Sequence, residues 1–408
     1  MGFTTQMIWA GIIMSAVLVI FTLGKSPLFR VDRAGAAIIG SVAMIGAGVL
    51  TFEEAGQAVE FRTIIILFSM MVVVANLKLA GFFDLLGNLV ASKVNSRRQL
   101  LAATILVSGV ASAVAINDIV CLLFTPVVLL ICERIRCNPI PHLLGVAMAS
   151  NIGSAATLLG NPQNILVGGL SGLSFLGYFS AAAPVAALGL ACTYLALALF
   201  FRRDLAIAWT GQEPVGAAVH PYLVRKSLLT LAAILIAYIA GIELAMASAV
   251  GAAFLLITRR VKPNKVYTSI DFNLLIVFIG LFVIVAGVEK SRLMDHILHL
   301  LSFDGFGSLG VFAVVTTIVS NIVSNVPAVL LLKFFIPAAQ PELWWKALAL
   351  FSTLAGNLTI TGSIANLIVV EIARRQHVEI SARDYFVVGF PLTIVTTAIG
   401  VFWLRFFA

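Results

Sequence analysis

The chain has 408 residues, of which 61% are hydrophobic and only 11% charged, with a mean hydropathy of +1.08. A soluble domain of this composition could not cover its surface with charge, so the sequence reads as an all-α polytopic membrane protein. The net charge of +8 comes from basic residues scattered between apolar runs, which argues against a nucleic-acid partner and for membrane lipids.

A membrane crossing needs about 20 apolar residues. On that measure, crossings fall near 7–24, 34–50 and 63–80, followed by a re-entrant hairpin at 99–132, an interrupted crossing at 142–170 and a further crossing at 174–201. The first run, Met7 to Leu23, has no basic leader or small-residue cleavage site and reads as retained. A polar stretch at 202–225 reads as a linker. The order then repeats, with crossings near 226–240, 243–258 and 272–288, a hairpin at 307–336, an interrupted crossing at 346–370 and a last crossing at 386–406. The expectation is about 10 transmembrane helices, two re-entrant hairpins and two broken helices. They divide into a first repeat at 1–201 and a second at 226–408.

Length argues for the hairpins: Ile119 to Cys132 makes roughly 21 Å of helix, short of a hydrocarbon core about 30 Å thick. Charge gives an independent argument. If each hairpin returns to the side it entered from, 19 of the 26 Lys and Arg residues fall on one side, the expected cytoplasmic face. Both termini are then periplasmic. Each half makes five crossings, so the second is inverted relative to the first, as in secondary transporters whose binding site lies where broken segments meet.

Those breaks carry the candidate chemistry. Asp118, in Asn117-Asp118-Ile119, is an acid inside an apolar arm, where ionisable residues mark function; the competing reading is a cap for the hairpin's second helix. Asn117 and Asn325 align between the halves, as do Ser112 and Ser320, and each marks a hairpin tip where helix amides are open to an anion or oxyacid. Ser324 lies beside Asn325. In the interrupted crossings, Ser154, Thr157, Gly160, Asn161 and Asn164 answer Asn357, Thr359, Thr361, Gly362, Ser363 and Asn366. Irregular backbone there is tolerable if it lines a cavity, and these residues are candidates for substrate or ion binding or for interhelical hydrogen bonds. The four cysteines and five histidines show no metal-ligand spacing, so no metal and no cofactor is expected. Cys121 reads as a buried gap-filler, with a thiol-seeking substrate as the alternative, and Lys333 as a snorkelling cation.

Asn117-Asp118 with Thr125-Pro126, Ser150-Asn151-Ile152-Gly153 leading into Gly160-Asn161-Pro162-Gln163-Asn164, Ser324-Asn325-Val326-Pro327, and Gly356-Asn357-Leu358-Thr359 leading into Gly362-Ser363-Ile364-Ala365-Asn366 together resemble the ion transporter superfamily. The likeness is to its citrate-transporter, arsenite-permease and sodium/proton-antiporter group and covers essentially the whole chain. It implies a bacterial inner-membrane secondary carrier of elevator or related type, with the site between two hairpins and two broken helices. The dicarboxylate branch has Ser-Asn-Thr at each hairpin tip, whereas this chain has Ile116-Asn117-Asp118 and Ser324-Asn325-Val326. The Asn-Asp pair is closer to the arsenite-permease branch, which implies proton-driven efflux of arsenite or antimonite with Asp118 as the proton-linked residue. Two alternatives stay open: a sodium- or proton-coupled carrier of a carboxylate or inorganic anion, and a sodium/proton antiporter. The chain is expected not to be an enzyme, and a homodimer is compatible with the resemblance.

Overall fold

Local signals set the ends of the helices. Thr4 caps α1 (Thr5–Leu23) by accepting the Met7 N–H, and Gly24, at φ 77°, ends it in the left-handed conformation that glycine adopts freely. Asp32 caps α2 (Arg33–Gly46) in the same way. Then come α3 (Phe52–Gln57), opened by a Thr51/Glu54 capping box, α4 (Phe61–Leu79) and α5 (Phe82–Lys93). The first hairpin is α6 (Arg97–Val114) and α7 (Asn117–Arg134). The interrupted crossing is α8 (Ile140–Ser154) and α9 (Pro162–Ser171), followed by α10 (Phe175–Phe200).

The remaining elements follow in the same order of type. They are α11 (Pro221–Ile239), α12 (Leu244–Leu256), α13 (Pro263–Tyr267), α14 (Phe272–Lys290) and α15 (Leu293–Leu300), then hairpin helices α16 (Leu309–Val323) and α17 (Asn325–Leu332), the interrupted pair α18 (Pro341–Leu354) and α19 (Ile364–Arg375), and α20 (Ala382–Phe407). This computed structural model describes residues 3–207, 219–258, 260–300 and 306–407. Among them there is no β-strand, only an isolated bridge between Lys25 and Asp32.

Six of these helices, α1, α4, α10, α11, α14 and α20, are long and apolar enough to cross a membrane. Their outer faces leave Leu195 and Leu199 of α10 and Ile394 and Phe402 of α20 exposed; burial of those faces needs a hydrocarbon solvent. The expected crossings at 34–50 and 243–258 are shorter than the sequence reading put them. α2 stops at Gly46, just before Gly48 at φ 69°, and α12 has 13 residues, each too short to cross alone. The helix at the expected crossing 226–240 starts earlier, at Pro221, because proline suits a helix's first turn. The rest of the expected linker, 208–218, lies outside the described residues. Four helices were not foreseen, α3, α5, α13 and α15, because short polar or amphipathic segments carry no crossing signal.

The packing between halves is reciprocal. α2 packs on α14 while α12 packs on α4, α1 meets α14 while α11 meets α4, and α7 meets α19 while α9 meets α17. The loops sort to two ends. Glu54 pairs with Lys290, Arg62 with Glu243 and Lys333 with Glu289, and Gln6 donates to the Gly48 carbonyl. At the other end, Arg97 donates to the carbonyls of Asp204 and Arg136, and the His220 amide to that of Ala80. At the centre lies α8, buried from Pro141 through Ser154.

Candidate functional site

The interruption after α8 frees carbonyls that lipid could not satisfy. Asn164 resolves this from the first turn of α9: its Nδ2 donates to the carbonyls of Ser154 and Thr157, at 3.4 and 2.9 Å. Asn366 does the same in α19, donating to Gly356 and Thr359 at 2.7 and 3.1 Å. Every partner is displaced by the same 202 positions. Asn161 caps α9 by accepting the Asn164 N–H, and Ser363 caps α19 by accepting that of Ala365. Gly160 permits the backbone to fold back on itself, since a Cβ there would lie 2.2 Å from the Ser154 carbonyl oxygen.

Two buried side chains then tie the interruptions together. Asn151 Oδ1 accepts from Asn117 Nδ2 and Ser363 Oγ, each at 3.0 Å, while its Nδ2 donates to Asn357 Oδ1 at 2.9 Å and Asn366 Oδ1 at 3.0 Å. Thr353, which stands 202 positions further on, reaches the other way. It accepts from Asn161 and Gln163, at 3.1 and 3.2 Å, and donates to Asn164 at 3.0 Å. Each half thus closes the broken helix of the other. Neither hub was among the site residues named from the sequence: Asn151 stood there only within a motif. The available signal was its polar side chain in an otherwise apolar, small-residue helix.

The hairpin tips join this network. The Asn117 amide N–H donates to the Gly160 carbonyl at 2.9 Å, and Asn117 Oδ1 is buried without a partner. Asn325, with its amide turned to satisfy its neighbours, donates to the carbonyls of Ser352 and Gly362 and accepts from Gln163. Neither α7 nor α17 has a side-chain cap, so Asp118 does not cap the hairpin, contrary to the competing sequence reading. Its carboxylate instead meets the backbone N–H of Ala365, at the start of α19, and Asp271 acts on it as a like charge. It therefore lies at the first turns of two helices, where partial positive charge gathers, and no Lys or Arg forms a salt bridge with it among the described residues.

A cavity of about 380 Å³ opens beside these groups. Ser324, Pro327 and Ile364 bring the second tip and α19 to its wall; Asp32, Arg33 and Asp271 bring charge from the starts of α2 and α14. These last three were not foreseen, since charged residues at helix starts look like ordinary caps. A larger groove of about 710 Å³ between α11 and α12 is lined by none of the site residues.

Of the sequence candidates only Ser324 lines this cavity; Asn117, Asp118 and Asn325 stand behind its wall, and others lie further away. Thr157 Oγ1 donates to the Ala113 carbonyl, Thr359 Oγ1 to Asn321 Oδ1, and the exposed Thr361 lies 3.3 Å from Thr359 Oγ1. Cys121 is buried against Ser150 Oγ, and Lys333 is paired with Glu289. The cysteines and histidines hold a correction. Although no spacing announced it, Cys132, Cys137 and His142 converge, with His142 fully buried inside α8.

Known proteins resemble the chain over most of its length. The silicon efflux transporter LSI3 of Oryza sativa subsp. japonica is 27% identical over 92% of this chain and 93% of its own. A Dictyostelium discoideum protein named as an arsB transporter is 25% identical over 91% and 87%, and the inner membrane protein YbiR of Escherichia coli is 30% identical over 79% and 82%. Among solved structures, the YdaH transporter of Alcanivorax borkumensis shares the fold, with a TM-score of 0.62 at 14% identity over 98% of both chains. The description "Citrate transporter" belongs to the family model that matches residues 16–355, and this chain belongs to that family of membrane transporters.

Proposed function

We propose that the chain is a proton-coupled efflux carrier for a small oxyacid, arsenite or antimonite first, working by alternating access of elevator type. The observation that carries this reading is Asp118. It lies at the first turns of α7 and α19, next to the amide network, with no cationic partner among the described residues. A carboxyl without a fixed counter-ion can exchange a proton as the solute arrives or leaves. The amides and hydroxyls of Asn117, Ser324 and Asn325 suit a neutral, hydroxylated solute, because each both donates and accepts. Two relatives, one named as an arsB transporter and one as a silicon efflux transporter, fit a metalloid cargo. The reciprocal helix contacts support two inverted repeats, 1–201 and 226–408. The end that carries Arg97, Arg136 and Asp204 is then cytoplasmic, in a bacterial inner membrane, and the cavity beside Arg33 faces that side.

One observation favours a second reading. Arg33 is the cation in the cavity wall, and a carboxylate or inorganic anion, with protons or sodium, would use it. Everted membrane vesicles separate the two. Uptake of arsenite that needs a pH gradient and persists without sodium supports the first reading; sodium-dependent uptake of citrate or succinate replaces it with the second. Asp118→Asn is expected to insert normally and to lose the pH dependence of transport. Transport by that variant with wild-type pH dependence would remove Asp118 from the mechanism.

A further inference from the structure

The C-terminus of α7 closes in a way that brings two thiols together. Ile135 ends the helix, and Arg136 turns left-handed at φ 48°. The Arg136 N–H then donates to the Glu133 carbonyl at 3.1 Å and the Cys137 N–H to the Cys132 carbonyl at 3.0 Å. This is the Schellman arrangement, in which the side chains at the two ends of the longer bond meet. Here those side chains belong to Cys132 and Cys137. From the first turn of α8, His142 enters the same space, fully buried, with no hydrogen-bond partner for its ring nitrogens other than the facing thiol. One ligand atom from each of the three residues lies within 4.8 Å of the other two.

We propose that Cys132, Cys137 and His142 form a binding site for a thiophilic d10 divalent cation, with zinc as the natural probe. Two sulfurs on one tetrahedral zinc stand about 3.8 Å apart when each bond is about 2.3 Å, so small side-chain rotations close the present spacing. Two thiolates and an imidazole form a donor set that selects such ions over magnesium or calcium, and three protein ligands leave a fourth position for water. The surroundings hold the ligands in place. Arg97 donates to the carbonyl of Arg136, next to Cys137, and to that of Asp204, while Asn138 donates to the Asp204 carboxylate at 3.1 Å. The guanidinium also supplies positive charge beside two thiolates. The site lies at the opposite end of α7 from Asn117 and Asp118, so bound metal would clamp α7 to α8 without occupying the transport cavity.

The test uses the purified, reduced full-length protein in detergent, titrated with zinc and, for spectroscopy, with cadmium. Expected results are one zinc per chain, an ultraviolet thiolate-to-cadmium charge-transfer band, and zinc protection of Cys132 and Cys137, but not Cys192, from maleimide labelling read by mass spectrometry. Cys132→Ser, Cys137→Ser and His142→Gln are each expected to weaken zinc binding by roughly tenfold or more, whereas Cys192→Ser leaves it unchanged. The protection experiment needs no variant and decides the matter even if the substitutions unfold the chain. Equal labelling of Cys132 and Cys137 with and without zinc would overturn the proposal, as would full zinc binding by a Cys132→Ser/Cys137→Ser double variant.

Discussion

Replacing Asn151 by alanine removes four hydrogen bonds at once, two accepted and two donated, all between buried partners. Intramembrane side-chain hydrogen bonds average about 0.6 kcal/mol each, so the loss is about 2.4 kcal/mol before any relaxation. Unsatisfied Asn117, Ser363, Asn357 and Asn366 groups would push the cost up, and water entering the vacated space would bring it down. The assay is reversible unfolding in mixed micelles, followed by tryptophan fluorescence, since Trp344 and Trp345 lie on α18, the helix that leads into the second interruption. Thr353→Val, which loses three bonds, is expected to cost about 1.8 kcal/mol on the same basis. A loss below about 0.5 kcal/mol for Asn151→Ala, against that average, would show that its amide does not hold the interruptions together.

Gly153→Ala is expected to destabilise strongly, because its Cβ would lie 2.1 Å from the carbonyl oxygen of Gly109 in α6 and backbone cannot rotate away; overpacking typically costs about 1–3 kcal/mol, and a wild-type melting temperature would contradict the contact. Ser324 holds φ 74° and ψ 158° at the second hairpin tip, a region nearly confined to glycine. Ser324→Gly is therefore expected to raise thermal stability and Ser324→Ala not to; equal melting of the two would place no strain there. Glu54 is hydrogen-bonded first to Lys290 and then to the Thr51 backbone, which holds its carboxyl below the usual glutamate range. A lowered folded-state pKa gives stability that is present above the unfolded pKa and lost as pH falls through the folded one. The melting difference between wild type and Glu54→Gln should accordingly shrink on acidification, and a difference that grows would reverse the assignment.

The skeleton was legible because lipid imposes length. Runs of about 20 apolar residues and their interruption by Gly160-Asn161-Pro162 or Gly356-Asn357 announce crossings and breaks before any coordinate is known. The short helices α5 and α15 escaped, since amphipathic segments of 12 and 8 residues satisfy no such constraint. The tip asparagines were legible as polar groups with no business in hydrocarbon. Their partners were not: Asn151 meets Asn366 across 215 positions, and no local pattern encodes a bond between one interruption and the other. The thiol pair was hidden for a different reason. Cys132 and Cys137 have a spacing with no motif attached, and only the left-handed turn at Arg136 brings them face to face.

The cross-stitching of the two interruptions limits how the molecule can move. With Asn151 and Thr353 each buttoned into the opposite half, the halves cannot hinge apart like jaws without tearing six buried bonds. The proposed elevator motion would then run elsewhere, along the seams where α9 passes α4 and α17 passes α14. There Gly169 lies flush against Thr63, so close that a methyl group would collide with its hydroxyl. Under the proposed elevator motion, a bulky residue at Gly169 would act as a wedge in that track, arresting the carriage while leaving its cargo berth untouched.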